Sequence, residues 1–166
     1  MGLFKPKAIK LYQRGDFRGL VGLLDQDPQT SVEAARALTI AGERAIPYLL
    51  PEIPRRDGAP FHTEESRSGR TLDARLALAG MGPIAVPYLF QAIREGDANM
   101  AWGAANCFAL MEIGGWCVLD VSLPPLKVDY PEDVRLAYEC KVGRPFRPSD
   151  TRSEMSRTRG TFFTRV

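Results

Sequence analysis

The residues able to do chemistry are few, and their spacing works against it. His62 is the only histidine, in a charged stretch beside Thr63, Glu64 and Glu65. A metal-dependent enzyme needs several converging donors, usually histidine and carboxylate sets at helical spacing. One histidine in such a stretch reads as a solvated loop side chain. The three cysteines, Cys107, Cys117 and Cys140, form no Cys-x-x-Cys pair. Cys107 falls inside a helical pattern with no base and orienting acid at hand, so it reads as a core thiol rather than a nucleophile. An odd set of unpaired thiols fits a reducing cytoplasm. No glycine-rich phosphate loop follows a strand, because there are hardly any strand patterns. The expectation is a chain that is not an enzyme and holds neither metal nor cofactor.

Arginine is the exception. From position 141 to the C-terminus seven basic residues face only Asp150 and Glu154, a net charge of +5. The total is +2, so the body carries −3. Arg144, Arg147, Arg152, Arg157 and Arg159 alternate with small polar residues, and Phe146, Phe162 and Phe163 interleave with them. Arginines and aromatics together can hold phosphates and stack on bases. The same composition also suits a solubilising tail or one that docks on a protein. If about five arginines contact a single strand, log affinity should fall with log salt at a slope near −3.5.

The elements that would position these residues are helices. An apolar pattern over 6–14 (Ala8, Ile9, Tyr12) ends at Gly15, and Asp16 is placed to cap a helix carrying Phe17, Leu20, Val21 and Leu24. Asp27-Pro28 breaks it. Thr30 or Ser31 then caps a helix with Val32, Ala35 and Leu38 near one face, stopped at Gly42. Ile46, Leu49, Leu50 and Ile53 mark the next helix, with Pro47 in its first turn and Pro51 and Pro54 ending it early. Residues 54–70 are polar and aperiodic and read as an insertion loop. Further helices are expected over 72–81, from Pro83 to 95, over 98–113 after a turn and N-cap at Gly96-Asp97, and over 131–141. Residues 116–123 read as a short helix or an extended stretch. Beyond Arg144 the chain reads as extended or disordered. No apolar run approaches the ~18 residues of a membrane span, and the N-terminus lacks the apolar core of a signal peptide. Pro6 spoils the myristoylation pattern that Gly2 would start.

Part of the chain is written twice. Gly42-Glu-Arg-Ala-Ile-Pro-Tyr-Leu-Leu50 returns 40 residues later as Gly82-Pro-Ile-Ala-Val-Pro-Tyr-Leu-Phe90, and Ala37-Leu38 returns as Ala77-Leu78. Ala109-Leu110 and Gly114 repeat the second copy at an offset of 32, so the undisturbed unit is near 32 residues and the 54–70 loop lengthens the first. Helices of this length are marginal alone and bury their apolar faces only by stacking.

A helix ending Ala-Leu-x-x-x-Gly, followed by Gly-x-x-Ala-Ile/Val-Pro-Tyr-Leu, resembles the HEAT-like repeat family, in the type also seen in phycobilisome bilin lyases. The resemblance covers residues 15–115, most densely 31–50 and 71–114. It implies an all-α fold, a short α-solenoid of antiparallel helix pairs over residues 1–143, closed by a C-terminal cap at 116–141 and followed by the basic tail 144–166. It implies a non-catalytic scaffold or protein-interaction module with a protein partner, and the open ends of a short array make end-to-end association conceivable. The alternatives are a nucleic-acid-associated protein acting through the tail and a bilin lyase-like protein with a chromophore on its inner face. Many family members carry Val-Arg where this chain has Thr30-Ser31, Arg70-Thr71 and Trp102-Gly103. The residues expected to be exposed for contact on the helices ending Ala-Leu-x-x-x-Gly are Arg36, Asp73, Arg75, Trp102 and Asn106.

Overall fold

The structure is a computed structural model that describes residues 7–54, 69–114 and 124–148. Among these residues the fold is all-α, with no strand. Eight α-helices follow in order: α1 (Lys7–Arg14), α2 (Phe17–Gly22), α3 (Pro28–Ala41), α4 (Ile46–Leu49), α5 (Gly69–Gly80), α6 (Val86–Glu95), α7 (Ala98–Ile113) and α8 (Glu132–Val142). None of them is long and apolar enough to cross a membrane.

Capping explains most of the boundaries. Asp16, Asp27 and Asp97 each accept a backbone N–H three residues on, from Gly19 (2.8 Å), Thr30 (3.1 Å) and Met100 (2.8 Å). Each satisfies an amide that the first helical turn leaves without a partner, an effect of about 1 kcal/mol. Asp27 therefore caps α3, not Thr30 or Ser31 as the sequence suggested. Pro28 suits the first turn of α3, where no amide hydrogen is needed. The repeated segment makes the same turn twice. Gly42 and Gly82 take φ of 61° and 60°, and each opens a short 3-10 turn before its Pro-Tyr-Leu helix. The second such helix starts at Val86 with Pro87 in its first turn, and Pro83 lies in the 3-10 turn rather than at the helix start. Helix α5 begins at Gly69, so the last two residues assigned to the 54–70 loop are helical. The rest of that loop from Arg55, His62 with it, lies outside the described residues, as do Trp116, Cys117 and the rest of the 116–123 stretch of the expected 116–141 cap.

Helices α1, α3, α5 and α7 contact one another in succession, and α2 contacts α4 as α6 contacts α8. Cross-contacts α1–α2, α2–α3, α4–α5, α6–α7 and α7–α8 join the two series. The core between them holds Leu20, Leu24, Leu38, Ile46, Leu49, Ile53, Leu78, Leu89, Ile93 and Phe108. Alanines let the backbones approach, and at Gly103 the approach is closest. A Cβ there would stand 2.1 Å from the Ile53 carbonyl oxygen. Burial at ~25 cal/mol per Å2 of apolar surface is what turns these marginal helices into one body.

The basic tail does not begin where the fold ends. Residues 144–148 lie back on α8, with the Phe146 ring buried against Tyr138 (5.0 Å) and Tyr130 (4.8 Å). The Phe146 amide donates to Glu139 (3.1 Å). Arg144 and Arg147 are exposed on this segment, whereas Arg152, Arg157 and Arg159 lie outside the described residues.

Candidate interaction surface

The residues expected to be exposed on α3, α5 and α7 have different fates. Arg36 and Asp73 are half-buried, and Arg75, Trp102 and Asn106 are buried at 4%, 6% and 7% exposure. The last three correct the sequence reading. Arg75 reaches across from α5, and its Nε and Nη2 both donate to the Ile53 carbonyl (3.0 and 2.7 Å). Its guanidinium lies over the Trp102 ring, 4.9 Å from the centroid. This cation satisfies a carbonyl at the end of the preceding helical turn and stacks on an aromatic face, so its job is to fasten three segments together. Burial pulls its pKa down to about 10. Asn106 donates to the Trp102 carbonyl (3.0 Å), one turn back in its own helix. Burial pushes the Cys107 thiol up to about 12, with Arg75 pulling the other way, so this buried thiol is no nucleophile at neutral pH.

Asp73 is part of the α3–α5 seam. Ser31 Oγ donates to its carboxylate and also points at the Leu24 carbonyl (3.2 Å). Burial raises the Asp73 pKa, and the Ser31 hydrogen bond opposes that. Thr39 Oγ1 lies within hydrogen-bond reach of the Ala35 carbonyl of its own helix (2.9 Å) and of the Ala77 carbonyl on α5 (3.2 Å), its one proton facing both. At the α5 N-terminus Arg70 forks onto Glu52 (2.7 and 2.8 Å) and reaches Asp25 (2.9 Å), which raises its pKa. These are cross-links between neighbours rather than a convergent reactive set. Among the described residues no three His, Cys, Asp or Glu side chains cluster as a metal would need.

Besides Pro28 and Gln29 at the start of α3, the described residues exposed on these helices are Val32 and Ile40. Val32 is 41% exposed and Ile40 65%, and Leu72 and Leu76 on α5 are half-buried. Val32, Arg36 and Ile40 recur at i, i+4 and i+8 and so share one stripe of α3. In the repeat register that stripe is Leu72, Leu76 and Gly80 on α5, and Ala104, Phe108 and Glu112 on α7. The α7 stripe is closed. Ala104 and Phe108 have no exposure, and the Tyr130 ring lies against Phe108 (5.2 Å). The Tyr130 hydroxyl donates to Glu112 (2.5 Å), and the Leu126 amide donates to the Met111 carbonyl (2.9 Å). Burial, then the Glu112 carboxylate, raises the Tyr130 pKa, so the phenol keeps its proton for that bond.

The sequence reading assigned Val32 to the core-facing side of α3 and did not single out Ile40. The signal for Ile40 was present: an isoleucine stands where the other two repeats have Gly80 and Glu112. A groove of about 400 Å3 runs along α8 between Glu132, Arg135, Leu136 and Glu139 and the Pro145–Arg147 stretch. It presents both signs of charge around Leu136, with no converging donors. No family model, curated protein or solved structure matches this chain.

Proposed function

We propose that this chain is a short α-solenoid of HEAT-like antiparallel helix pairs, serving as a non-catalytic protein-interaction module. The observation that carries this reading is that Val32 and Ile40 stay exposed on α3 while the equivalent stripe of α7 is covered. Two further facts support it. Alternate helices contact in succession, as stacked pairs do. The polar side chains on the inner helices are spent on seam cross-links such as Arg75 to Ile53. Val32 and Ile40 lie on one side of α3, where a partner would cover both.

The test is affinity capture from native cells after nuclease treatment, comparing the wild type with a Val32→Glu/Ile40→Glu double variant and with a chain truncated after residue 148. A protein partner that survives nuclease and truncation but is lost with the double variant is the expected result. Loss on nuclease treatment or truncation alone would move binding to the arginine tail.

A further inference from the structure

Aligned on the positive-φ glycines that follow them, Gly15, Gly42 and Gly82, helices α1, α3 and α5 differ along one flank. Where α3 has Ala34, Ala37 and Ala41 and α5 has Ala74, Ala77 and Met81, α1 has Lys7, Lys10 and Arg14. These positions recur at i, i+3 and i+7 and form one stripe. On α5 that stripe faces the preceding repeat: the Ala77 carbonyl lies within reach of Thr39, and Asp73 beside it receives Ser31. Ala74 and Ala77 are fully buried there, whereas Lys7, Lys10 and Arg14 are exposed. The flank that elsewhere receives a neighbour is cationic on α1.

Two more cations join it across the α1–α2 turn. Arg18 is exposed on α2, and the Arg44 guanidinium lies over the Phe17 ring, 5.1 Å from its centroid. A Cβ at Gly15 would meet Arg44 Nη2 at 3.6 Å, so this guanidinium stands beside the Arg14–Gly15 turn. Tyr48 packs on the same Phe17 ring at 5.8 Å and keeps 41% of its surface exposed. The two carboxylates nearby are engaged, Asp16 by the Gly19 amide and Glu43 by the Tyr88 hydroxyl. Among the described residues Lys7, Arg14, Arg18 and Arg44 make no ion pair. A terminal face that served only solubility would be satisfied by charges of both signs. Here five exposed cations stand against Asp16 and Glu43.

We propose that this end of the molecule binds a single strand of nucleic acid, with phosphates on Arg14, Arg18 and Arg44 and one base stacked on Tyr48. The planar fork of arginine grips phosphate oxygens in pairs. An exposed aromatic ring beside it offers a stacking face to any base. An anionic bilayer suits this end less well. The apolar flank of α1, Ala8 and Leu11, is spent on the core, which leaves only Ile9 and Tyr12 to enter lipid. The site uses neither the Val32–Ile40 side of α3 nor the arginine tail, and it stands independently of the interaction-module reading.

The test titrates the full chain into a fluorescein-labelled oligothymidylate of about 20 nucleotides, followed by anisotropy. Saturable binding is expected, weakened about tenfold or more by Arg14→Gln/Arg18→Gln/Arg44→Gln. The three lost contacts should also flatten the slope of log affinity against log salt by about 2. Tyr48→Leu should weaken binding about fivefold or more without changing that slope, and Tyr48→Phe should bind as the wild type does. All four side chains are exposed, so the variants should keep the wild-type melting curve. If taking Arg44 off Phe17 lowers it, Arg14→Gln/Arg18→Gln carries the test.

Arg152→Ser/Arg157→Ser/Arg159→Ser in the full chain is the control for the tail. Loss of binding in that variant, with the triple glutamine variant unchanged, overturns the proposal, as does the absence of binding. Indifference to Tyr48→Leu overturns the stacked base, and with it the choice of a nucleic acid over other polyanions. Mixed phosphatidylglycerol and phosphatidylcholine vesicles form the last arm. Sedimentation with them through the same arginines, without oligonucleotide binding, overturns the proposal in favour of a membrane surface.

Discussion

Helices α3 and α7 occupy equivalent places in the repeat, yet one is open and the other is enclosed. On α3 the stripe Val32–Arg36–Ile40 carries two exposed apolar side chains. On α7 every residue from Ala101 to Met111 is buried, because α5, α6, α8 and the 124–130 segment surround it. The difference lies in coverage more than in helix-forming power. Both helices start at an aspartate cap and stop at a positive-φ glycine. What α7 has in addition is an aromatic cluster of Phe90, Phe108, Tyr130 and Phe146, with successive ring centroids 4.8–5.2 Å apart along Phe90–Phe108–Tyr130–Phe146. That cluster joins α6, α7, the 124–130 segment and the start of the tail. The stripe of α7 is thus covered by the chain itself, whereas Val32 and Ile40 on α3 stay exposed.

The largest test of this contrast is stability. Phe108→Ala should cost about 3–5 kcal/mol, because it empties the centre of the cluster. Ile40→Ser should change stability by no more than about 0.5 kcal/mol. Urea unfolding followed by far-UV circular dichroism measures both, and similar costs at the two sites would erase the distinction between open and closed stripes.

The close packing at the enclosed end is tested next. Gly103→Ala would place a methyl group against the Ile53 carbonyl, and the required shift should cost about 1–3 kcal/mol. Gly22→Ala, at an exposed position of α2, meets nothing within 4 Å and should stabilise by up to about 1 kcal/mol. A thermal melt that lowers the midpoint for the first and raises it for the second would bear this out.

Tyr130→Phe keeps the ring and removes the hydroxyl that donates to Glu112. A loss of about 1–2 kcal/mol is expected, smaller than for Phe108→Ala. No loss would mean that ring packing alone closes the α7 stripe.

The smallest effect concerns pH on the α3–α5 seam. Burial raises the folded-state pKa of Asp73 above its unfolded value, with no charged neighbour among the causes. A carboxyl of that kind adds most to stability when protonated, below the ordinary carboxylate range, and the contribution is lost as pH rises through the raised folded pKa. Proton counting agrees with the sign. The single Ser31 hydroxyl proton faces both the Leu24 carbonyl and the Asp73 carboxylate. A protonated Asp73 could donate to Ser31 and free that proton for Leu24. Asp73→Asn supplies a donor at every pH, so its stability relative to wild type should be higher at pH 7 than at pH 4. Denaturation midpoints for the pair at both pH values check this, and a gap that does not move with pH would count against it.

Much of the helical order was legible in the chain. The Asp16 and Asp97 caps, the Gly42 and Gly82 turns and the bounds of α7 follow from local rules acting within a few residues. The corrections at α3, Pro83 and the start of α5 shift an end by a few residues; the larger ones come from long-range contacts. Arg75, Trp102 and Asn106 are polar or amphipathic and were expected outside, but each is buried where α5 and α7 meet or within α7 itself. Nothing within four residues of Arg75 says that the Ile53 carbonyl, 22 residues earlier, will lie 2.7 Å away. Phe146 was assigned to a tail, and its partners Tyr130 and Tyr138 become visible only when the chain has folded back.

Local sequence settles the all-α composition, the Asp16 and Asp97 caps and the repeated glycine turn, because hydrogen-bond capping and backbone stereochemistry act within a few residues. Tertiary structure alone decided which apolar stripe is covered. Covering needs two distant segments to meet, and residues 124–130 settle on α7 while Val32 and Ile40 remain in water.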